Sequence, residues 1–317
     1  MPNSSLKLLQ RYGTLFGFVA IVVLFWTLKP ATFMTVQNWL NITQQVSILC
    51  VVAFTSTVVM AVGAFDLSVG TMASLASMVV AVMMQADYGI LASCVVALAV
   101  ALLGGALNGL VVSYFGIGPF VATLGSLTAF SGLALLISDG NTIFGRAIPA
   151  AFGEFGRRGL PLGSFTFPNL TIVMLVVLAI VWWLMERTVF GRRLYAIFGN
   201  REAARLAGIR VRWLSLCAFA ISGFGAGIAG LMLTSRLASA NPNQGDPLML
   251  NAVAAVFLGM TMNEEGEPHV LATLVGVLLL GVLANGLTQL QINSYIQQMV
   301  TGVLIVLAVG LSRLSKR

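Results

Sequence analysis

Charge is what this chain has least of. Only 9% of its 317 residues are Asp, Glu, Lys or Arg, against about 25% in ordinary soluble domains, while 58% are hydrophobic and the mean hydropathy is +0.97. Such a chain cannot clothe an aqueous surface, so a soluble fold is excluded and an all-α, polytopic membrane protein is expected. At roughly 20 residues per span the length admits about ten transmembrane helices and leaves no room for a separate soluble domain.

Lysine is scarcer still. Lys7, Lys29 and Lys316 are the only three, and none lies in a G-x-x-x-x-G-K-[ST] loop. The chain therefore has no P-loop, and its work is driven by an ion gradient or by a separate ATPase subunit. One histidine, His269, and three cysteines, Cys50, Cys94 and Cys217, lie scattered with neither metal-ligand spacing nor a disulfide framework. No Ser or Cys sits in a nucleophile motif, so no catalytic residue, metal or cofactor is assigned, and an intramembrane enzyme finds no catalytic pair. No basic run with interleaved aromatics accompanies the net charge of +7, which reads as membrane orientation and not as nucleic-acid binding.

What is present is a series of apolar runs delimited by charges, prolines and glycines. They predict spans at about 13–28, 42–63, 70–86, 90–113, 120–138, 169–186, 214–234, 248–263, 270–290 and 295–311. The first follows Lys7 and Arg11 as a signal peptide would, yet Lys29 and Pro30 succeed it in place of a small-x-small cleavage site, so it reads as an uncleaved signal anchor. An even number of spans puts both termini on one side. With them inside, 12 of the 17 positive charges are cytoplasmic, and only Lys29, Arg146, Arg157, Arg158 and Arg236 fall outside. Both termini are thus expected in the cytoplasm. Residues 139–168 form an outer Gly- and Pro-rich loop with room for one short helix. Residues 187–213 form an inner loop with seven arginines, which at the least fixes topology beside anionic lipid.

Laid over itself so that Leu103 meets Leu280, the chain also aligns Gly104, Asn108, Gly109 and Leu110 with Gly281, Asn285, Gly286 and Leu287. The shared pattern is L-G-x-x-x-N-G-L, which two Leu/Gly-rich helices can also share by chance. If it is a repeat, the topology makes it inverted, because the fourth span runs inward and the ninth outward. The whole chain, 1–317, is then one membrane domain with halves of about 42–138 and 214–311. Inverted halves place a path between them near the bilayer midplane. Asn108 and Asn285 would face that path, or else hydrogen-bond between helices next to small residues.

The strongest local motif lies in the inner loop, Gly199-Asn200-Arg201-Glu202-Ala203-Ala204-Arg205-Leu206-Ala207-Gly208-Ile209. Glu202, Ala203, Ala204, Leu206 and Ala207 favour a helix, Asn200 can cap it and Gly208 can end it. Its small residues would seat closely in a groove of another protein, with arginines at the rim for an acidic partner. A solvated surface helix fits the same composition.

Glu202-Ala203-Ala204 followed by three residues and Gly208 matches the signature with which ABC importer permeases dock on their ATPases. Together with Phe190-Gly191-Arg192, Asp66-Leu67-Ser68-Val69-Gly70, Pro119 to Gly125, Ile137-Ser138-Asp139-Gly140 and Asn285-Gly286-Leu287, it closely resembles the ribose, xylose and arabinose branch of bacterial sugar permeases. The resemblance covers nearly the whole chain, with one departure. The acidic turn Asn263-Glu264-Glu265-Gly266-Glu267-Pro268-His269 stands where that branch has a Gly-rich, weakly basic one.

Asp66 is the only acid within the apolar stretch 42–84. A carboxylate in hydrocarbon costs about 2.5 to 3.5 kcal/mol on insertion scales, so it must face water, a partner or a path. One reading makes it the N-cap of the third span at a cytoplasmic turn, with Ser68 and Gly70 easing the chain into the helix. The other makes the turn an inner gate beside the path, and the resemblance favours it.

The resemblance implies a permease subunit of an ATP-driven sugar importer working by alternating access in the bacterial cytoplasmic membrane. Its implied partners are two ABC ATPase subunits inside, a sugar-binding protein outside, and a second permease subunit in a homodimer or heterodimer. Two alternatives stand beside it. One is an ABC permease for branched-chain amino acids. The other is an ion-coupled secondary transporter, which would want ionisable groups within the spans, where only Asp66 and Asp87 offer themselves.

Overall fold

The computed structural model describes residues 4–163, 165–263 and 266–303. Its long helices are α1 (Ser4–Leu28), α2 (Val36–Met60), α3 (Val69–Gln85), α4 (Ile90–Ser113) and α5 (Pro119–Ser138), then α7 (Asn169–Arg187), α10 (Val211–Leu237), α11 (Asp246–Met260) and α12 (Val270–Gln289). Lipid offers no partner for a bare peptide group, so apolar runs of this length satisfy their backbone internally as helices. Local chemistry sets the ends. Thr35 caps α2 by accepting the Asn38 N–H at 3.2 Å, and Pro119 opens α5 where its missing N–H is not needed. Asp139 and Ala238, both at φ 47°, close α5 and α10 in the left-handed conformation.

Helix α10 is the axis of the bundle, and α2, α3 and α4 pack directly on it. Helices in lipid gain little from hydrophobicity against one another, so close packing of small residues does the work. Gly223 lies against Gly105 and Ala101 of α4, Gly225 against Thr55 of α2, and Gly230 against Ala73 and Ala76 of α3. A β-carbon on Gly223 would stand 2.7 Å from the Gly105 Cα, so these crossings tolerate no larger side chain. Leu91, Leu103 and Leu136, by contrast, point outward on α4 and α5.

At one end of the bundle residues 139–168 contain more structure than a loop with one helix. The expected short helix is α6 (Ala150–Arg157), but it is flanked by β1 (Ile143–Phe144), a 3-10 turn (Gly145–Ala147) and the hairpin of β2 (Gly159–Leu162) with β3 (Phe165–Pro168). β1 pairs antiparallel with β4 (Ser239–Ala240), which follows α10, and the Ser235 hydroxyl donates to the Phe152 carbonyl. At the opposite end lie α8 (Val189–Gly199) and α9 (Arg201–Leu206).

Among the described residues six helices, α2, α4, α5, α7, α10 and α12, are long and apolar enough to cross a membrane. Part of the predicted tenth span, 295–311, lies outside the described residues. Three predicted spans are shorter: one is the apolar part of α1, Gly13–Leu28, and the other two, α3 and α11, differ in kind. α3 has 17 residues and α11 has 15, so at 1.5 Å per residue they reach about 25 and 22 Å, short of the ~30 Å hydrocarbon core. Both begin inside the bundle. The Gly245 N–H, at the head of α11, donates to Ser74 Oγ in the second turn of α3 at 2.9 Å. Gly70 packs on the backbone of Gly245 and Asp246, so the N-terminal ends of the two short helices meet.

Candidate functional site

Residues 61–68 join α2 to α3, and they turn within the bundle. Asp66 Oδ2 accepts the Ser222 hydroxyl at 2.9 Å. Ser222 lies between Val211, the start of α10, and Leu237, its end, about three turns from the first and about four from the second. The turn therefore sits about 16 Å along a helix about 40 Å long, and not at the end of the bundle as the sequence alone suggests. The N-cap of α3 is Ser68, not Asp66. Asp66 acts from just upstream: its Oδ1 accepts both the Ser68 N–H at 3.0 Å and the Ser68 hydroxyl at 2.6 Å. Asn108 of α4 then donates from Nδ2 to Ser68 Oγ at 2.8 Å. All four side chains are buried, at 5%, 2% and 4% exposure for Asp66, Ser68 and Asn108 and 0% for Ser222.

This arrangement offsets part of the cost of burying a carboxylate with neutral donors. Both oxygens are occupied by two hydroxyls and one amide N–H at the positive end of α3, where negative charge is favoured. Three helices and one turn are thereby tied at a single point.

A second polar cluster lies further along α3. Ser74 Oγ bonds Asp246 Oδ1 at 3.4 Å, Gln244 Nε2 donates to Ser77 Oγ at 2.6 Å, and Ser77 donates to the Gly230 carbonyl at 2.8 Å. Thr234 donates to Ser77 Oγ at 3.0 Å. The turn 238–245 between α10 and α11 is thus held by side chains of α3.

Asp66, Ser68 and Asn108 are brought together. Asn285 is not with them. It is buried near the far end of α12, its Oδ1 accepts Gln289 Nε2 from its own helix at 3.1 Å, and the neighbouring Gly286 packs on Phe25 of α1. Sequence reasoning missed Ser222, Ser74, Ser77 and Gln244, since a hydroxyl in a Gly-rich helix carries no mark of its partner. The same holds for His269, whose Nε2 lies 3.2 Å from Glu186 Oε1 at the end of α7.

The helix expected at Glu202 to Ala207 is α9. Asn200 caps it, its Oδ1 accepting the N–H groups of Glu202 at 3.1 Å and Ala203 at 3.0 Å. Gly208, at φ 80°, ends it in the left-handed conformation. Ala204 is buried beneath the helix, whereas Arg201, Glu202, Ala203 and Arg205 are exposed and Leu206 is 79% exposed. Arg205 pairs with Glu202 at 3.1 Å across the outer face. A short capped helix is thus presented outward with Ala203, Ala207 and Gly208 accessible and Ala204 turned toward the bundle.

A polytopic helical protein with discontinuous helices around a buried polar centre has the build of a transporter. The family model described as "Branched-chain amino acid transport system / permease component" matches residues 38–309. The ribose import permease protein RbsC of Bacillus subtilis (strain 168) is 38% identical over 305 residues, covering 96% of this chain and 93% of its own length. The D-allose transport system permease protein AlsC of Escherichia coli (strain K12) is 35% identical over 307 residues, covering 96% and 92%. The galactose/methyl galactoside import permease protein MglC of the same strain is 30% identical over 320 residues, covering 96% and 93%. The chain belongs to this family of transport permeases.

Proposed function

We propose that this chain is the membrane subunit of an ATP-driven, binding-protein-dependent importer of a pentose or hexose, working by alternating access in a bacterial cytoplasmic membrane. The observation that carries the reading is full-length similarity to permeases that import ribose, allose and galactose. The family description names branched-chain amino acids, which keeps that cargo as the second reading. A neutral sugar needs only amide, hydroxyl and aromatic groups. A zwitterion would also call for charged or helix-end recognition.

In this reading the end bearing α8 and α9 is cytoplasmic, as are both termini, in accord with the 12 to 5 division of positive charge. Glu202, Ala203 and Gly208 form the contact with the ATPase, and Ala204, expected among them but buried beneath the helix, seats it on the bundle. Asp66, Ser68 and Asn108 form the inner gate of the path, with Asn285 at the pathway's symmetry-related position. Partners are two ATPase subunits inside, a sugar-binding protein over the end bearing α6, and a second permease subunit.

An inverted repeat is part of the proposal, and the helix boundaries support it. The helices α2, α3 and α4 begin at Val36, Val69 and Ile90, and α10, α11 and α12 at Val211, Asp246 and Val270, so the two sets follow one another at nearly equal intervals. Packing follows the same relation. Gly223 meets Gly105 where α10 crosses α4, and Val46, the counterpart of Gly223 in the alignment that pairs Leu103 with Leu280, meets Gly281, the counterpart of Gly104 one residue before Gly105, where α2 crosses α12. Two short helices entering from opposite ends then correspond to each other, and their heads meet at the centre. ATP-driven closure of the ATPases against α9 would shift which end of this centre is open.

The test is uptake into proteoliposomes holding the permease, its ATPase and its binding protein, with a panel of pentoses, hexoses and branched-chain amino acids. ATP-dependent uptake of one sugar supports the reading. Uptake of leucine or valine alone transfers it to the second.

A further inference from the structure

Glu186 joins two parts of the chain that lie far apart in the sequence. Its Oε1 accepts the Tyr195 hydroxyl of α8 at 2.7 Å and lies 3.2 Å from His269 Nε2 at the head of α12. The Glu186 and His269 side chains are 25% and 33% exposed, so the contact is partly shielded from solvent. Burial, the bond to Glu186 and the charges of Glu186 and Glu267 all push the Tyr195 phenol up, so it keeps its proton and remains a donor.

The elements on either side of this contact are stiff. Gly191 presses on the backbone of Met185, and Thr188 bonds both the Leu184 carbonyl at 2.6 Å and the Gly191 N–H at 3.4 Å, which fixes α8 to the end of α7. Asn200 ends α8 and caps α9, so α9 follows α8 without a free linker. On the other side Gly259 packs on Ala272 and Thr273, and Gly276 on Ala255, which closes α11 and α12 into a hairpin. That hairpin reaches the central turn through Phe257, whose ring stands 5.7 Å from Phe65 beside Asp66. A contiguous chain of contacts therefore runs from α9 to the buried centre, and Glu186 is the polar joint in it. His269 ends the acidic turn in which this chain departs from the sugar-permease branch that it resembles.

We propose that Glu186 is a positioning residue for energy coupling, tying α8 and α9 to the α11–α12 hairpin so that they move as one body when the ATPases close. This rests on the importer reading and adds the route by which the docked helix would act on the path. Contiguity alone does not establish coupling, so the test must sever and restore the joint.

Tyr195→Cys with His269→Cys, in a background where Cys50, Cys94 and Cys217 are replaced, removes both bonds to Glu186. A short, reductant-cleavable bis-thiol reagent then ties the same two positions covalently. In proteoliposomes with ATPase and binding protein, we expect sugar imported per ATP hydrolysed to fall three- to ten-fold in the untied protein. It should return to within two-fold of the parent on linking. Glu186→Ala, measured in parallel with membrane level and ATPase co-purification, should assemble normally and lose the same ratio, while Glu186→Gln, whose amide oxygen still accepts from Tyr195 and His269, should keep most of it. An unchanged ratio in Glu186→Ala overturns the proposal, and so does import that stops on linking, which would make the joint a latch that must open. If the parent complex itself shows no ATP-driven sugar uptake, the importer reading falls and takes the proposal with it. A loss confined to the variants bears on Glu186 alone.

Discussion

Asp66 and Ser222 are 156 residues apart in sequence and 2.9 Å apart in space, joined carboxylate to hydroxyl at mid-length of the central helix. The bond crosses from the turn that ends α2 to the axis of the bundle, so it reports on the position of that turn directly. If the turn is a gate, the carboxylate matters as a charge at the head of α3. If it is only a fastening, an amide of the same shape should serve.

Asp66→Asn is expected to reach the membrane and co-purify with the ATPase at normal levels while uptake drops at least ten-fold. Asp66→Ala leaves the Ser68 N–H and the Ser222 hydroxyl without their acceptor, a loss of about 1–3 kcal/mol for each buried group left unpaired. Its folded yield should fall as well. Uptake, membrane level and ATPase recovery are measured together. Normal transport by Asp66→Asn, with only a lower yield for Asp66→Ala, would make the turn structural and remove the gate.

Gly208→Leu tests the docking helix. Its φ of 80° is strained for any side chain, yet a β-carbon there meets nothing within 4 Å, so the membrane bundle has no cause to change. Forcing an L-residue into this conformation costs about 1–2 kcal/mol, which unwinds the end of α9. ATPase pull-down should drop several-fold with membrane level unchanged. Asn200→Ala, which strips the acceptor from the Glu202 and Ala203 N–H groups, should act in the same direction by about 1 kcal/mol. Full ATPase recovery and normal uptake in both would separate α9 from docking.

These sites also mark what a sequence discloses. The helix α9 is legible because its cap, its formers and its stop are neighbours in the chain, and Asn200 and Gly208 do what their residue types predict. The long apolar helices are legible for the same reason. Depth is not. An apolar run at 70–86 reads as a span, yet where α3 begins is decided by Ser222, Asn108 and the Gly70 contact with Gly245, none of them close in sequence. The repeat motif likewise points to Asn108 and Asn285 as a pair, but their partners differ: Ser68 for one, Gln289 for the other. A pattern kept along a helix does not carry the contacts made across it.

Orientation is tested by labelling, with the probe moved from where sequence alone would put it. Gly156 is buried against Ser235 and Arg236, so a cysteine there would disturb α10. Leu162, at the tip of the β2–β3 hairpin and 62% exposed, is suitable. In a background without the three native cysteines, a membrane-impermeant maleimide applied to intact cells should label Leu162→Cys and spare Arg205→Cys. The reverse pattern would invert the topology and put α9 out of reach of any cytoplasmic ATPase.

The crossing of α10 over α4 sets the final expectation. Gly105 and Gly223 face each other so closely that a β-carbon on Gly105 would stand 2.9 Å from the Gly223 Cα and 3.0 Å from its nitrogen. The atoms in the way are backbone, so no rotamer change relieves the clash and the helices must part. Parting them also pulls Ser222, next to Gly223, away from Asp66, and Asn108, one turn beyond Gly105, away from Ser68. Gly223→Val should therefore lower the folded level in the membrane several-fold, and the protein that remains should lose uptake. Gly125→Val on α5, where a β-carbon meets nothing within 4 Å, is the control and should leave the folded level within two-fold of the parent. Level is read by detergent-solubilised monodisperse yield, uptake per unit of that yield. Parent-like yield and uptake for Gly223→Val would mean that the α4–α10 crossing is looser than its geometry and that the central network does not depend on it.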